Sequence, residues 1–410
     1  MYPTEWKVCT LSDVTEKIMV GIASAATHAY CSSGIPMLRN LNIRPGYIDE
    51  QDVLQIDSEY ELAHRNKRLK TGDVLVVRTG YPGVSAVVPE KYDGAQCFTS
   101  LIVRPKKAEL SADYFCQYMN SAFGERLSAA AEAGGAQKNL NAGELEKLQL
   151  HLPTIQEQHC IAQILSAWDQ AIASADRLLQ SSLERKRGLA RDLLQGKTRS
   201  KQFTAPWQQL TFRDVLKEVK RRVEWDDDQE YPLISVRRRS GGAFLRETLK
   251  GSEILTKKLN YAYEGEFLIS KMQVVHGAMA VVPAALDGMF VSDSYLAFQS
   301  ADEDRFDINF IGWLSTTQQM YKTVRRCSYG VHIEKMTFDL DMFLNEKLHV
   351  PLDLEEQHFI CRVLESAQAE VESAVKHLEK LKLEKAALMS QLLTGKRRVK
   401  LPDAEAEVQA

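Results

Sequence analysis

No stretch of this 410-residue chain is long and apolar enough to span a bilayer, and its opening, MYPTEWKVC, lacks a basic-then-apolar targeting pattern. The seven cysteines are scattered with no close pair at metal-ligand spacing, which argues against a zinc site. An odd number of them, with no signal peptide, points to reduced thiols in a cytoplasmic protein. An excess of positive charge is missing as well. The 52 Lys and Arg against 55 Asp and Glu leave a net charge of -3 and a pI near 6.3, whereas a free-standing nucleic-acid-binding domain is usually strongly basic. The strings of an enzyme are missing too. There is no glycine-rich cofactor turn with an Asn/Asp-Pro-Pro-type tetrad for a methyltransferase, and no carboxylate cluster with a lysine for a metal-dependent nuclease. PDAEAE, from Pro402, lacks the lysine and falls in a tail expected to be disordered. What remains is a chain of 44% apolar residues, enough for two or three globular cores.

LLQGKT, residues 193–198, ends like a phosphate-binding loop, but the glycine needed five positions before Gly196 is Arg191. LLTGKR, residues 392–397, fails in the same way with Ser390. Both are read as helix ends, with glycine just past the last turn and cations near the negative pole. The duplication is the larger fact. Residues 157–197 align without a gap to 356–396 at a constant offset of 199. Fainter matches precede them: Trp6, Asp13 and Val14 with Trp207, Asp214 and Val215, GDVLVVR from Gly72 with GEFLISK from Gly265, and VVP at Val87 with VVP at Val281. The order is therefore domain, helix, domain, helix.

Ile161, Leu165, Trp168, Ile172, Ala175 and Leu179 alternate spacings of four and three, as do Ile360, Leu364, Ala367, Val371, Ala374 and Leu378. That is a coiled-coil seam, carried by helices of about forty residues, or roughly 60 Å. Neither can bury its seam alone, and connectivity makes them antiparallel. The expected fold class is α+β: two similar α/β domains joined by two long helices in an antiparallel coiled coil with pseudo-two-fold symmetry. The tail GKRRVKLP resembles GKTRSKQF before Trp207, so it should lie near Trp6.

LPTIQEQHCI with its twin VPLDLEEQHFI, and ARDLLQGKTR with MSQLLTGKRR, carry a resemblance over essentially the whole chain. The chain resembles the specificity subunit of a type I restriction-modification system. The resemblance implies a first target-recognition domain at 1–150, a helical region at 151–199, a second recognition domain at 200–349, a second helical region at 350–398 and a tail at 399–410. It implies that each domain reads one half of a split site in double-stranded DNA. The helices would set the spacer and dock two methyltransferase subunits through the seam and through Glu157, Gln158, Glu356 and Gln357. No cofactor is expected in this chain. S-adenosylmethionine would belong to the methyltransferase subunits, and ATP and magnesium to restriction (translocase) subunits of the full complex. His159 and His358 depart from the lysine or arginine common in the family at those positions.

Divergent tips on a repeated frame are where a split site would be read. RTGYPG supplies Arg78, Thr79 and Tyr81, and KMQVVHG supplies Lys271, Gln273 and His276. Arginine and lysine suit guanine edges and glutamine suits adenine. Gln137, Lys138, Asn139 and Asn141 form a polar loop in the first half, with His332 and Lys335 at the corresponding place in the second. Arg237, Arg238, Arg239, Arg325 and Arg326 could neutralise phosphates. The competing reading is a coiled-coil scaffold whose two heads bind protein. Because the cofactor motif for each activity is lacking, the rigorously pure chain is expected to show no methylation, DNA cleavage or ATP hydrolysis; cofactor-dependent turnover above a buffer blank would contradict this.

Overall fold

A computed structural model describes residues 2–24, 26–126, 140–330, 332 and 336–400. The chain forms two compact units, one made of Met1–Asp176 with Lys376–Ala410 and the other of Arg177–Val375. Two 39-residue helices, Ile155–Leu193 and Leu354–Leu392, each contribute to both.

In the first unit Lys7–Thr10 pairs antiparallel with Gln149–Leu152. An antiparallel sheet follows in the order Thr15–Val20, Leu101–Pro105, Val74–Val76, Ser85–Val87. A second sheet runs Gln96–Cys97, Ile35–Leu38, Leu54–Ile56, Tyr30–Cys31, with its first pair parallel. The second unit repeats this plan, except that the fourth strand of its second sheet joins the opposite edge. Gln208–Thr211 pairs with Lys347–Val350. One sheet runs Leu216–Val219, Tyr295–Ser300, Phe267–Ser270, Met279–Val281, and the other Ala243–Lys250, Glu230–Val236, Met289–Ser292, Leu259–Ala262. Here too a parallel contact, Leu233 with Phe290, joins the corresponding strands.

Local chemistry repeats with the topology. Asp13 accepts from the backbone and hydroxyl of Thr10 at 2.8 and 2.7 Å, and Asp214 does the same for Thr211 at 2.8 and 2.7 Å. Each bond closes a short turn that feeds the next strand. Gly196 and Gly395 end the long helices in the left-handed region, at φ 65° and 69°. Lys197 N–H bonds Asp192 O and Arg397 N–H bonds Gln391 O, so both are helix C-caps rather than phosphate loops. A β-carbon at Gly395 would fall 2.4 Å from Pro3, and one at Gly196 3.3 Å from Trp207.

The apolar stripes of the long helices are shared between two kinds of partner. In the first unit Ile161 and Leu165, with Met389, Leu392 and Leu393 of the second helix, complete a core with Val74, Leu101 and Phe115. In the second unit Ile360 and Leu364, with Leu193 and Leu194, do so against Phe267 and Phe310. The outer ends of the expected seam thus serve the sheet-bearing cores, because spacing alone cannot distinguish a helix partner from a sheet partner. Within each unit the helices run antiparallel. Glu157 meets Arg398 and Asp169 meets Lys385, while Glu356 meets Arg199 and Lys186 meets Gln368. Farther along the stripes, Ala175, Val371, Ala374 and Leu378 are buried, and Trp168, Ile172 and Leu179 are half-buried. Burial pushes the Cys97 and Cys116 thiols up to about 12, so both behave as core hydrophobes.

Arg398 grips buried Glu157 through two bonds of 2.6 and 2.8 Å and also reaches Glu5, which brings the tail beside Trp6 as expected. Arg199 grips Glu356 with two bonds of 2.7 Å, joined by Trp207 Nε1 at 3.2 Å. Arg398→Met and Arg199→Met are each expected to cost about 2 kcal/mol, because a buried carboxylate is left with unmet hydrogen bonds. Thermal unfolding with circular dichroism checks this; unchanged melting in both variants would contradict it.

Candidate nucleic-acid interface

In the first unit the hairpin joining Val74–Val76 to Ser85–Val87 carries Arg78, Thr79 and Tyr81. Gly80 and Gly83, both at φ 88°, let this loop turn in a way that side chains would resist. Tyr81 stands at the tip, 78% exposed. The loop is braced from below by a residue outside the matched motifs. Asn40 donates from Nδ2 to Thr79 Oγ1 at 2.8 Å and accepts from Ser100 Oγ at 2.7 Å. Asn40 lies just beyond Ile35–Leu38, in the connection to Leu54–Ile56. Arg39 Nε and Arg78 Nε are buried without a hydrogen-bond partner among the described residues. Leu140 N–H bonds the Arg78 carbonyl at 3.2 Å, which brings the end of the polar loop to the same hairpin. Gln137, Lys138 and Asn139 lie outside the described residues. Asn141 serves its own helix instead, capping Ala142–Glu146 and accepting from Glu144 N–H at 2.9 Å.

The second unit brings two of the predicted segments together. Arg237, Arg238 and Arg239 form the turn between Glu230–Val236 and Ala243–Lys250, topologically the counterpart of the connection holding Asn40. Arg239 N–H bonds His276 O at 2.7 Å and Ser240 N–H bonds Gly277 O at 3.0 Å. Tyr321 clasps the junction, its hydroxyl 2.9 Å from Ser240 Oγ. Arg239 and Ser240 hold φ of 58° and 54°, and the Arg237 guanidinium sits 3.9 Å over Phe244. Lys271 is tied by its backbone to Ser294, and Gln273 Oε1 is buried without a hydrogen-bond partner among the described residues. Arg325 is exposed, four residues beyond Tyr321 and so on the same helix face. Arg326 is occupied instead, bonding Glu346 at 2.6 Å, which raises its already high pKa. His332 is exposed, and Lys335 lies outside the described residues.

Glu157, Gln158, Glu356 and Gln357 are at most 2% exposed, and their polar groups are used internally. Gln158 accepts from Ser111 N–H at 2.9 Å and donates to Glu109 O and Pro153 O. Gln357 accepts from Asp307 N–H at 2.8 Å and donates to Arg305 O and Pro351 O. The paired Glu-Gln therefore joins each long helix to its own sheet-bearing domain; a docking role would have to fall on more exposed neighbours. In the first unit such a face is a groove of about 970 Å³ lined by Ile164, Trp168, Leu388, Arg397 and Lys400. The second unit has a smaller counterpart, about 340 Å³, with Phe359, Arg362 and Val363 at the positions of Cys160, Gln163 and Ile164. Among the described residues no group of His, Cys, Asp or Glu could hold a metal ion, and no helix is long and apolar enough to cross a membrane.

Two dissimilar loop clusters thus stand on one repeated frame. Residues 3–183 match the family model described as the type I restriction modification DNA specificity domain. Over those residues the chain is similar to the DNA specificity domain of type I restriction-modification proteins. It is 23% identical over 426 residues to a Methanocaldococcus jannaschii protein described as the MjaX type I restriction enzyme specificity subunit, covering 97% of this chain and 95% of that one. Its fold is similar to a chain from a structural study of complex assembly and conformational transition in the type I R-M system, at TM-score 0.60 and 16% identity, covering 97% and 100% of the two chains. It is also similar to the type I S subunit from M. genitalium, at TM-score 0.56 and 12% identity, covering 95% and 96%.

Asn40→Ala should cost about 1 to 2 kcal/mol and free the hairpin, because Thr79 loses its donor and Ser100 its acceptor. Faster amide hydrogen exchange at Val77 and Gly83, which bond across the loop, checks this, with exchange in the second unit unchanged. Unchanged exchange at those two amides would contradict the bracing role.

Proposed function

We propose that this chain is the non-catalytic DNA-reading subunit of a type I restriction-modification complex. Each sheet-bearing domain reads one half of a bipartite site, while the helical pair sets the spacer and docks two methyltransferase subunits. The observation that carries this reading is the preserved frame with exchanged tips. In the first unit the connection after Ile35–Leu38 and the loop holding Arg78 share one end of the domain, bridged by Asn40 and Thr79. In the second, the three-arginine turn and the turn holding Gln273 and His276 do the same. A frame that is kept while its tips differ suits two readers of different sequences, since base edges are recognised by the side chains presented and not by the scaffold.

Charge supports the same division. With a net charge of -3, the chain has little to spare for backbone-wide phosphate attraction, the largest sequence-independent contribution to DNA affinity. Methyltransferase subunits docked on the long helices would supply it, together with S-adenosylmethionine. The half-buried Trp168 and the exposed Ile164 in the first groove offer these subunits apolar contact.

Reversing one reading residue tests the assignment. Arg78→Glu, assembled with its partners, should lose about 5- to 150-fold in discrimination at bases of one half-site, the range of one bidentate arginine–base contact. Discrimination at the other half-site should be unchanged. Binding competition against duplexes mutated one position at a time gives the answer; equal loss at both half-sites would contradict separate readers.

A further inference from the structure

Beside the shared apolar core, two polar contacts between each domain and its long helices recur at matching positions. The first is the Gln158 or Gln357 clamp. Ser111 and Asp307, whose backbone N–H groups those glutamines accept, are the N-cap residues of helices Ala112–Met119 and Ile308–Leu314. Six residues beyond each cap stand Gln117 and Trp313, and there the second contact is made. In the first unit Gln117 Nε2 donates to Asp169 Oδ2 at 2.8 Å, while Lys385 of the second long helix donates to Asp169 Oδ1 at 2.6 Å. In the second unit Lys186, the equivalent of Lys385, donates to Gln368 Oε1 at 2.5 Å and lies 5.4 Å from the Trp313 ring centre. Gln368 in turn is the equivalent of Asp169, at the same offset of 199 that relates the helical repeats. The positions are conserved between the halves, and the chemistry is not. One contact is a carboxylate shared by an amide and an ammonium; the other is an ammonium on an aromatic face. Burial lowers the Lys186 pKa, in keeping with its enclosed place beside Trp313.

We propose that Gln117–Asp169–Lys385 and Trp313–Lys186–Gln368 are positioning residues for spacer specificity, setting the tilt of each reading domain on its helical pair. The inference rests on the bipartite-site reading above. Packed apolar side chains resist separation more than tilt, and a second polar contact at a distance from the first resists tilt about it. In the first unit the contacts on the long helix, at residues 158 and 169, are eleven residues apart, roughly 16 Å along the axis. In the second, Trp313 meets Lys186 of the other long helix, which is held by Gln368, eleven residues beyond Gln357. Gln117 and Trp313 lie roughly 9 Å along their own helices from the caps, so a give of about 1 Å there turns the domain helix by roughly 6°. A tilt carries the reading loops with the rest of the domain, against a base-pair step of about 3.4 Å. The tilt therefore bears on which spacers can be spanned, and the loops that touch bases are left as they were.

The test uses the full chain assembled with its methyltransferase partners and duplexes carrying its site with the spacer shortened by one pair, native, or lengthened by one pair. Gln117→Ala and Trp313→Ala should each reduce the preference for the native spacer at least about fivefold, whereas the penalty for single base changes in either half-site stays within about twofold. Asp169→Asn should keep the native preference. Its amide oxygen still accepts from Lys385, and its NH2 can donate to Gln117 Oε1, which is buried without a partner among the described residues. Trp313→Phe should keep it too. Unchanged spacer preference in both alanine variants overturns the proposal, as does uniform weakening at every spacer and half-site, the result of a merely stabilising contact. A wild-type complex that binds no bipartite duplex overturns the functional reading instead.

Discussion

Neither unit of this protein has a complete core without turns of a helix that begins in the other half of the sequence. Met389, Leu392 and Leu393 close the core around Phe115, and Leu193 and Leu194 close the one around Phe310. An amphipathic helix of 39 residues cannot hide its stripe alone, and the sheet face that carries Val74, Val76, Leu101 and Val103 cannot either. Crossing the helices solves both problems together. The antiparallel course, the glycine caps beside Trp6 and Trp207, and the arginines reaching back to Glu157 and Glu356 all follow from that exchange.

Much of this is legible in the residues alone, because repeats are self-checking. A glycine in one helix-ending motif is ambiguous; the same glycine 199 residues later, again without its phosphate-loop companion, is not. The antiparallel direction follows from connectivity, and the tail beside Trp6 from its likeness to the segment before Trp207. The sites are harder. Asn40 is hidden because the connection it belongs to spans residues 39–53 in one half and 237–242 in the other, and unequal lengths defeat alignment. Its only signal is an arginine-led segment after a Pro-containing strand, Arg39 after Ile35–Leu38 and Arg237 after Glu230–Val236. Asn141 and Arg326 read as free polar groups, yet one caps a helix and the other is held by Glu346. The Glu-Gln pairs stand out plainly as motifs, but a motif does not say whether its polar atoms face a partner or the chain's own backbone.

The same physics separates stability from specificity. Buried, fully bonded groups such as Gln158 and Gln357 recur unchanged because any substitution leaves backbone groups unmet. Exposed tips carry no such penalty, so Tyr81 and the three-arginine turn are free to differ between the halves. A protein built in this way can change what it reads without changing how it folds.

The central claim is that two unlike readers act through one chain, and the sequence the assembled complex marks is its most direct measure. Methylated positions mapped across a genome that carries this chain with the methyltransferase subunits proposed as its partners should define two different short specific stretches separated by a spacer of fixed length and free sequence. One contiguous site, or two identical half-sites in inverted order, would contradict the account.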